Sequence, residues 1–273
     1  MPKTIVITGA SDGIGAAAAR KLHADGHRVI VVGRSLQKTN AVADEIGAER
    51  FVADFAVLDD VRRLAMELDS LCPQIDVLAN NAGGSFPEQT KTVDGHDLTF
   101  QVNHLAPFLL TKLLLEKLLA SKATVIQTSS VGARALGKIE MDDLEHDKDW
   151  SALRAYGTTK LENILFTAEL DHRYRARGLA SAAFHPGVVA SNFAADMGGV
   201  SRLVYRNPLS RFLLTSSEKG ASQLVWLAEG TPGTDFQSGT YYEKHKPAKR
   251  LNPQALDGEL ATWLWERSEA MLG

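Results

Sequence analysis

Three glycines directly behind a short apolar run constrain this chain most. Thr4–Thr8 (TIVIT) is β-branched and almost continuously apolar, as a strand buried on both faces must be, and Gly9-Ala10-Ser11-Asp12-Gly13-Ile14-Gly15 follows at once. Helix formers, among them Ala16–Ala19 and Leu22, come next, so the glycines fall in a strand-to-helix turn. Glycine permits a tight turn and close approach of the backbone to a ligand. The helix that starts there offers unpaired N–H groups and the positive end of its dipole, a ready site for phosphate. The spacing G-x-x-x-G-x-G differs from the commoner dinucleotide spacing G-x-G-x-x-G, but the physics is the same. A tight turn without a ligand is the alternative. Its setting between strand and helix favours a pyrophosphate.

The rest of the chain repeats this rhythm. Arg28–Gly33, Arg50–Ala53, Ile75–Ala79, Thr124–Thr128, Leu179–Phe184 and Gly239–Tyr242 read as further strands. Gly13–Asp25, Leu36–Ile46, Val57–Leu71, His96–Leu119, Leu153–Ala176, Ser217–Glu229 and Pro253–Met271 read as helices. Pro107 is expected to bend or break the fourth of these, and Gly178 to end the fifth. Such alternation predicts an α/β fold: a doubly wound, Rossmann-type parallel sheet of about seven strands with helices on both faces. No repeat, low-complexity tract or linker divides the 273 residues, so one domain over residues 1–273 is expected. Two segments break the rhythm, the acidic stretch Gly137–Trp150 and the irregular residues 188–216. The latter contains Phe193, Met197, Leu203, Val204 and Phe212 and is expected to form an apolar substrate loop, because ligands bind beyond the carboxyl ends of the strands.

Composition narrows the class. Hydrophobic residues make up 44% and charged residues 23%, which excludes a disordered chain. A formal charge of -3 gives no reason to expect nucleic acid or an anionic membrane as partner. The single cysteine, Cys72, excludes an internal disulfide and a multi-cysteine metal site, and reads as a helix-end or loop thiol. It fits a reducing compartment. No apolar run approaches the roughly 18 residues of a membrane span, and no leader peptide is evident before the first strand. A cytoplasmic protein is expected.

Two further places carry chemistry. At the end of the second strand, Gly33 stands where an acidic side chain would bind a ribose 2′-hydroxyl, and Arg34 follows with a guanidinium suited to a 2′-phosphate. NADP(H) is therefore favoured over NAD(H), although Asp12 places a negative charge near the turn. Tyr156 and Lys160 are spaced i, i+4, on one face of a helix. A free tyrosine has a pKa of about 10, too high for acid/base work at neutral pH. An ammonium beside it favours the phenolate. Ser129-Ser130 ends the fifth strand, where a hydroxyl can donate to a carbonyl oxygen that gains charge. Asn80-Asn81-Ala82-Gly83 ends the fourth strand in the same way, and Asn103 lies in the helix that follows.

Taken together, Thr8–Gly15, Asn80–Gly83, Ser130, Tyr156/Lys160 and Pro186-Gly187 resemble the short-chain dehydrogenase/reductase family in order and spacing, over nearly the whole chain. The glycine spacing resembles its shorter, single-domain branch. Val102-Asn103-His104-Leu105, Lys160-Leu161-Glu162-Asn163 and His185-Pro186-Gly187-Val188-Val189 look like the retinol-dehydrogenase-like and WW-domain-oxidoreductase-like group. The 26 residues from Ser130 to Tyr156 agree with an insertion carried by that group.

The resemblance implies roles. Tyr156 would donate or accept the proton, Lys160 would lower its pKa and hold the nicotinamide ribose, Ser130 would orient the substrate oxygen, and Asn103 would hold a water linking Lys160 to solvent. Gly9, Ser11, Asp12, Gly13, Ile14, Gly15 and Arg34 would hold the phosphates. Asp54 and Phe55 would meet the adenine, with Asn81, Ala82 and Gly83 beside the adenosine and ribose. Pro186, Gly187, Val189 and Ser191 would lie on the nicotinamide side. Homo-oligomerisation is also implied.

The expected function is hydride transfer between NADP(H) and a small hydrophobic carbonyl or alcohol. A non-catalytic NADP(H)-sensing scaffold is the alternative, against which the set Ser130, Asn103, Tyr156 and Lys160 speaks. An epimerase or dehydratase fits the glycine spacing less well. In the acidic loop, His146 lies among carboxylates. A divalent ion is conceivable there, but a solvated loop is the expectation and no metal is assigned. Trp263 and Trp265 read as packing or subunit contact.

Overall fold

In the computed structural model, which describes residues 1–187 and 216–273, the apolar runs pair edge to edge. Strands β1 (Thr4–Thr8), β2 (Arg28–Gly33), β3 (Glu49–Val52), β4 (Val77–Asn80), β5 (Thr124–Thr128), β6 (Ala180–His185), β7 (Thr240–Glu243) and β8 (Lys246–Pro247) form one sheet. Its order is β3-β2-β1-β4-β5-β6-β7-β8. The first seven strands are parallel throughout, as expected. The eighth is a two-residue antiparallel edge on β7, too short to show in a hydrophobic pattern. Strand order reverses between β1 and β4, and connections leaving the two in opposite directions open a crevice there.

Side chains of β1 alternate between two cores, as the period of a strand demands. Ile5 and Ile7 face one core with α1 (Gly13–Ala24), α2 (Leu36–Ile46) and Ser217–Glu229, here α9. Val6 faces the other, with α3 (Leu58–Leu71), α5 (Ala106–Leu113), α6 (Leu115–Ala120), α8 (Ala152–Tyr174) and the last helix Gly258–Leu272, here α10. Two short helices, α4 (Leu98–Phe100) and α7 (Gly132–Ala135), complete the described set.

Three expectations need correction. The fourth long helix is not broken at Pro107. A π turn over Gln101–Leu105 separates α4 from α5, and a second interruption falls at Leu114. Pro107 sits in the first turn of α5, where its missing N–H is tolerated and the wider turn ahead of it takes up the change. The last helix does not start at Pro253. A 3-10 turn covers Pro253–Leu256, and α10 begins only after Asp257, whose carboxylate caps the Leu260 N–H at 2.9 Å. The acidic loop is not simply solvated, because His146 is buried.

Trp265 packs into the second core against Phe108, edge on at 4.9 Å, and against Phe166 at 5.7 Å. Trp263 packs partly buried at the same core. Within it the buried His104 Nε2 meets Ser268 Oγ at 2.8 Å, joining the π turn to α10. Burial holds the His104 ring neutral, at about 3. Cys72 caps the end of α3 and is buried, which pushes its thiol pKa up.

Candidate active site

The carboxyl ends of β1, β4 and β5 are tied together by one side chain. Asn81 Nδ2 donates to the carbonyls of Thr8 (3.0 Å) and Gly9 (3.3 Å), and its Oδ1 accepts from Thr128 Oγ1 (3.2 Å). Thr8 Oγ1 accepts from the N–H groups of Asn81 and Ala82, both at 3.0 Å. Against this knot the glycine turn is drawn tight. Gly9 has φ +65°, and a methyl group on it would lie 2.8 Å from Ala82 Cα. A methyl on Gly15 would lie 2.4 Å from the Gly9 carbonyl oxygen. Asp12 caps α1 by accepting from Gly13 N–H at 2.7 Å. The start of α1 therefore opens toward the crevice.

The end of β2 is shaped by packing as much as by recognition. A methyl on Gly33 would meet Thr39 Oγ1 at 2.4 Å and Ser11 Cβ at 2.7 Å, so no larger side chain fits there. Arg34 beside it is exposed, and among the described residues it has no hydrogen-bond or ion-pair partner. One turn further on, Lys38 Nζ bonds Asp12 Oδ2 at 2.8 Å and lines the same cleft. Lys38 escaped the sequence reading. A lysine four residues beyond Arg34 on a surface helix carries no local signal.

The reacting groups meet where β5 ends. Ser129 Oγ is buried and donates to the Lys160 carbonyl at 2.6 Å. Ser130 Oγ accepts from Gly132 N–H at 3.1 Å and faces the cleft. A methyl on Gly132 would lie 3.3 Å from Tyr156 Cε1 and 3.4 Å from Ser130 Oγ, so this glycine leaves room for the two side chains to approach. Lys160 is 4% exposed, and its Nζ donates to the Thr128 carbonyl at 3.1 Å. Burial lowers its pKa to about 8. Gly83 covers it, since a methyl there would lie 3.0 Å from Lys160 Nζ and 2.7 Å from Asn103 Oδ1. Asn103 lies behind this glycine, fully buried. Its side chain accepts from Gly84 N–H (2.8 Å) and donates to the Gly84 carbonyl (2.8 Å) and Thr159 Oγ1 (3.0 Å).

One cleft of about 610 Å³ joins these regions, lined at one end by the glycine turn and Arg34 and at the other by Ser130, Tyr156 and Lys160. Ser11, Ile14, Asp54, Phe55, Ala82, Pro186 and Gly187 also line it. Asn103 does not, and Val189 and Ser191 lie outside the described residues. Phe86, His185 and Gly84 line it without having been singled out for a role. Burial holds the His185 ring neutral, with a pKa of about 4. A cleft that runs from a helix N-terminus and an exposed guanidinium to Ser130, Tyr156 and Lys160 fits a dinucleotide.

Known proteins agree with this geometry. A family model described as short chain dehydrogenase matches residues 3–198. A Streptomyces sp. (strain C5) protein provisionally named daunorubicin C-13 ketoreductase DnrU is 40% identical, with 99% of this chain and 93% of the relative covered. Human retinol dehydrogenase 13 is 34% identical, with 99% of this chain and 86% of the relative covered. A solved structure of an uncharacterized protein from Mycobacterium paratuberculosis superposes with a TM-score of 0.79 at 31% identity, covering 98% of this chain and 92% of that one. The chain belongs to the short-chain dehydrogenase family, in its retinol-dehydrogenase-like group. It is an oxidoreductase that acts on CH–OH groups with a nicotinamide cofactor.

Proposed function

We propose that the protein is an NADP(H)-dependent carbonyl reductase or alcohol dehydrogenase for hydrophobic substrates. The observation that carries this reading is the meeting of Ser130 and Tyr156 across Gly132, with the buried Lys160 one helical turn behind. The cleft between the glycine turn and Tyr156 would hold a nicotinamide dinucleotide, which would provide the hydride chemistry at the substrate carbon. Ser130 Oγ donates to the substrate oxygen, where negative charge develops during reduction. Tyr156 gives that oxygen its proton. Lys160 keeps the phenol acidic enough to do so and holds the nicotinamide ribose. Asn103 acts from behind, holding the Gly84 backbone and, as the family resemblance implies, a water beside Lys160.

Preference for NADP(H) rests on the β2 end. Gly33 leaves no room for an acid, while Arg34 and Lys38 offer two cations to a 2′-phosphate. The named relatives support a hydrophobic substrate, one being called a ketoreductase and another a retinol dehydrogenase.

The test is oxidation of NADPH and NADH against a panel of apolar aldehydes and ketones, with Tyr156→Phe and Arg34→Asp alongside. Turnover with NADPH that is lost in Tyr156→Phe is expected. Arg34→Asp should weaken NADPH at least tenfold relative to NADH. Tight NADPH binding with no turnover would instead indicate a sensor. Turnover that survives in Tyr156→Phe would overturn the mechanism.

A further inference from the structure

The loop between α7 and α8 holds a group the reaction does not use. His146 is 2% exposed, and among the described residues neither ring nitrogen has a hydrogen-bond partner. A buried imidazole with both nitrogens unsatisfied is destabilising unless something completes it. The His146 ligand nitrogen and one carboxylate oxygen each from Glu140 and Asp143 all lie within 4.8 Å of one another.

From this arrangement we infer that Glu140, Asp143 and His146 form a binding site for a divalent transition-metal ion of the zinc class. One imidazole with two carboxylates suits zinc and its neighbours, whereas calcium and magnesium favour oxygen alone. Zinc ligands at about 2.0–2.2 Å stand roughly 3.3–3.6 Å apart in a tetrahedron. Closing from within 4.8 Å takes small side-chain rotations, and Glu140 is partly exposed and able to make one. Asp143 is held by the N–H groups of Asp147 (2.8 Å) and Lys148 (3.3 Å), an outer shell that orients it as a ligand.

Nearby cations do not fill the place. Lys138 and Arg154 each bond Glu140 at 2.6 Å, and Arg154 also bonds Asp149 at 2.7 Å. These contacts leave lone pairs on the carboxylate oxygens. A bound ion would fasten this loop upon itself just ahead of the helix that carries Tyr156.

The experiment uses the full chain, first dialysed against a chelator and then titrated with Zn²⁺ by calorimetry. One ion per chain is expected. At about a hundredfold excess over Kd it should raise Tm by about 5 °C. His146→Asn removes the ligand while suiting the left-handed backbone at this position, φ +59°. Asp143→Asn removes a second ligand. Each variant, with its fold checked by circular dichroism, should bind Zn²⁺ at least tenfold more weakly. Absence of saturable binding in the parent protein, or affinity in both variants equal to the parent's, would overturn the proposal.

Discussion

The Nζ of Lys160 stands 5.6 Å from the centroid of the Tyr156 ring, both side chains rising from α8. The lysine keeps its charge at neutral pH but gives it up early, because burial brings its pKa to about 8. Above that, the charge that favours the Tyr156 phenolate disappears. We expect kcat/KM for carbonyl reduction to fall as pH rises through about 8. A pH profile that stays flat to pH 10 would remove Lys160 from the role assigned to it.

The same burial has a cost to stability. The folded pKa of Lys160 lies below its unfolded value of 10.5, so between about 8 and 10.5 the unfolded chain binds more protons. The penalty is complete below about 8 and fades as pH rises toward 10.5. Lys160→Met should therefore stabilise the protein by about 1–3 kcal/mol at pH 7 while lowering turnover at least a hundredfold. Urea unfolding at pH 7 and again near 10.5 checks the sign, since the gain should shrink at the higher pH.

Gly132→Ala places a methyl 3.3 Å from Tyr156 and 3.4 Å from Ser130. Both side chains must yield by a few tenths of an ångström, in a site where an error of about 1 Å costs on the order of a hundredfold. A loss of about fivefold in kcat with unchanged NADPH affinity is expected. Steady-state kinetics beside fluorescence titration separates the two quantities.

Glu145 anchors the acidic loop to the segment ahead of α4. Burial opposes its ionisation, but His96 Nδ1 (3.1 Å), the Asp97 N–H (2.5 Å) and Lys91 Nζ (3.0 Å) outweigh burial and hold its carboxyl at about 2. The folded pKa lies below the unfolded one, so this stabilisation is present above about 4.5 and lost as pH falls toward 2. Glu145→Gln should cost about 1–2 kcal/mol at pH 7, with the deficit closing near pH 2–3. A deficit that does not change with pH would show that the charge contributes nothing.

Much of this was legible where the rules are local. A β-branched run, a glycine turn and an amphipathic stretch declare β1 and α1 without help from elsewhere. Tyr156 and Lys160 needed the helical repeat together with Ser130 at the end of the fifth strand. What escaped depends on contacts distant in sequence. Gly132 matters through Ser130 and Tyr156 together, and α7 is four residues long, too short to show periodicity. Gly33 looked like the absence of an acid, yet its neighbours Ser11 and Thr39 come from two other elements. His146 read as solvated because acidic loops usually are. Only the path of the chain buries it.

The bond between His104 and Ser268 gives the far end of the chain a voice in the chemistry. His104 follows Asn103 on the π turn, and Asn103 grips Gly84 beside Lys160. Trimming the carboxyl end back past Ser268, or forcing a fusion tag into its last turn, would slacken that grip across three successive links. An expression strategy for this enzyme should leave the helix Gly258–Leu272 intact.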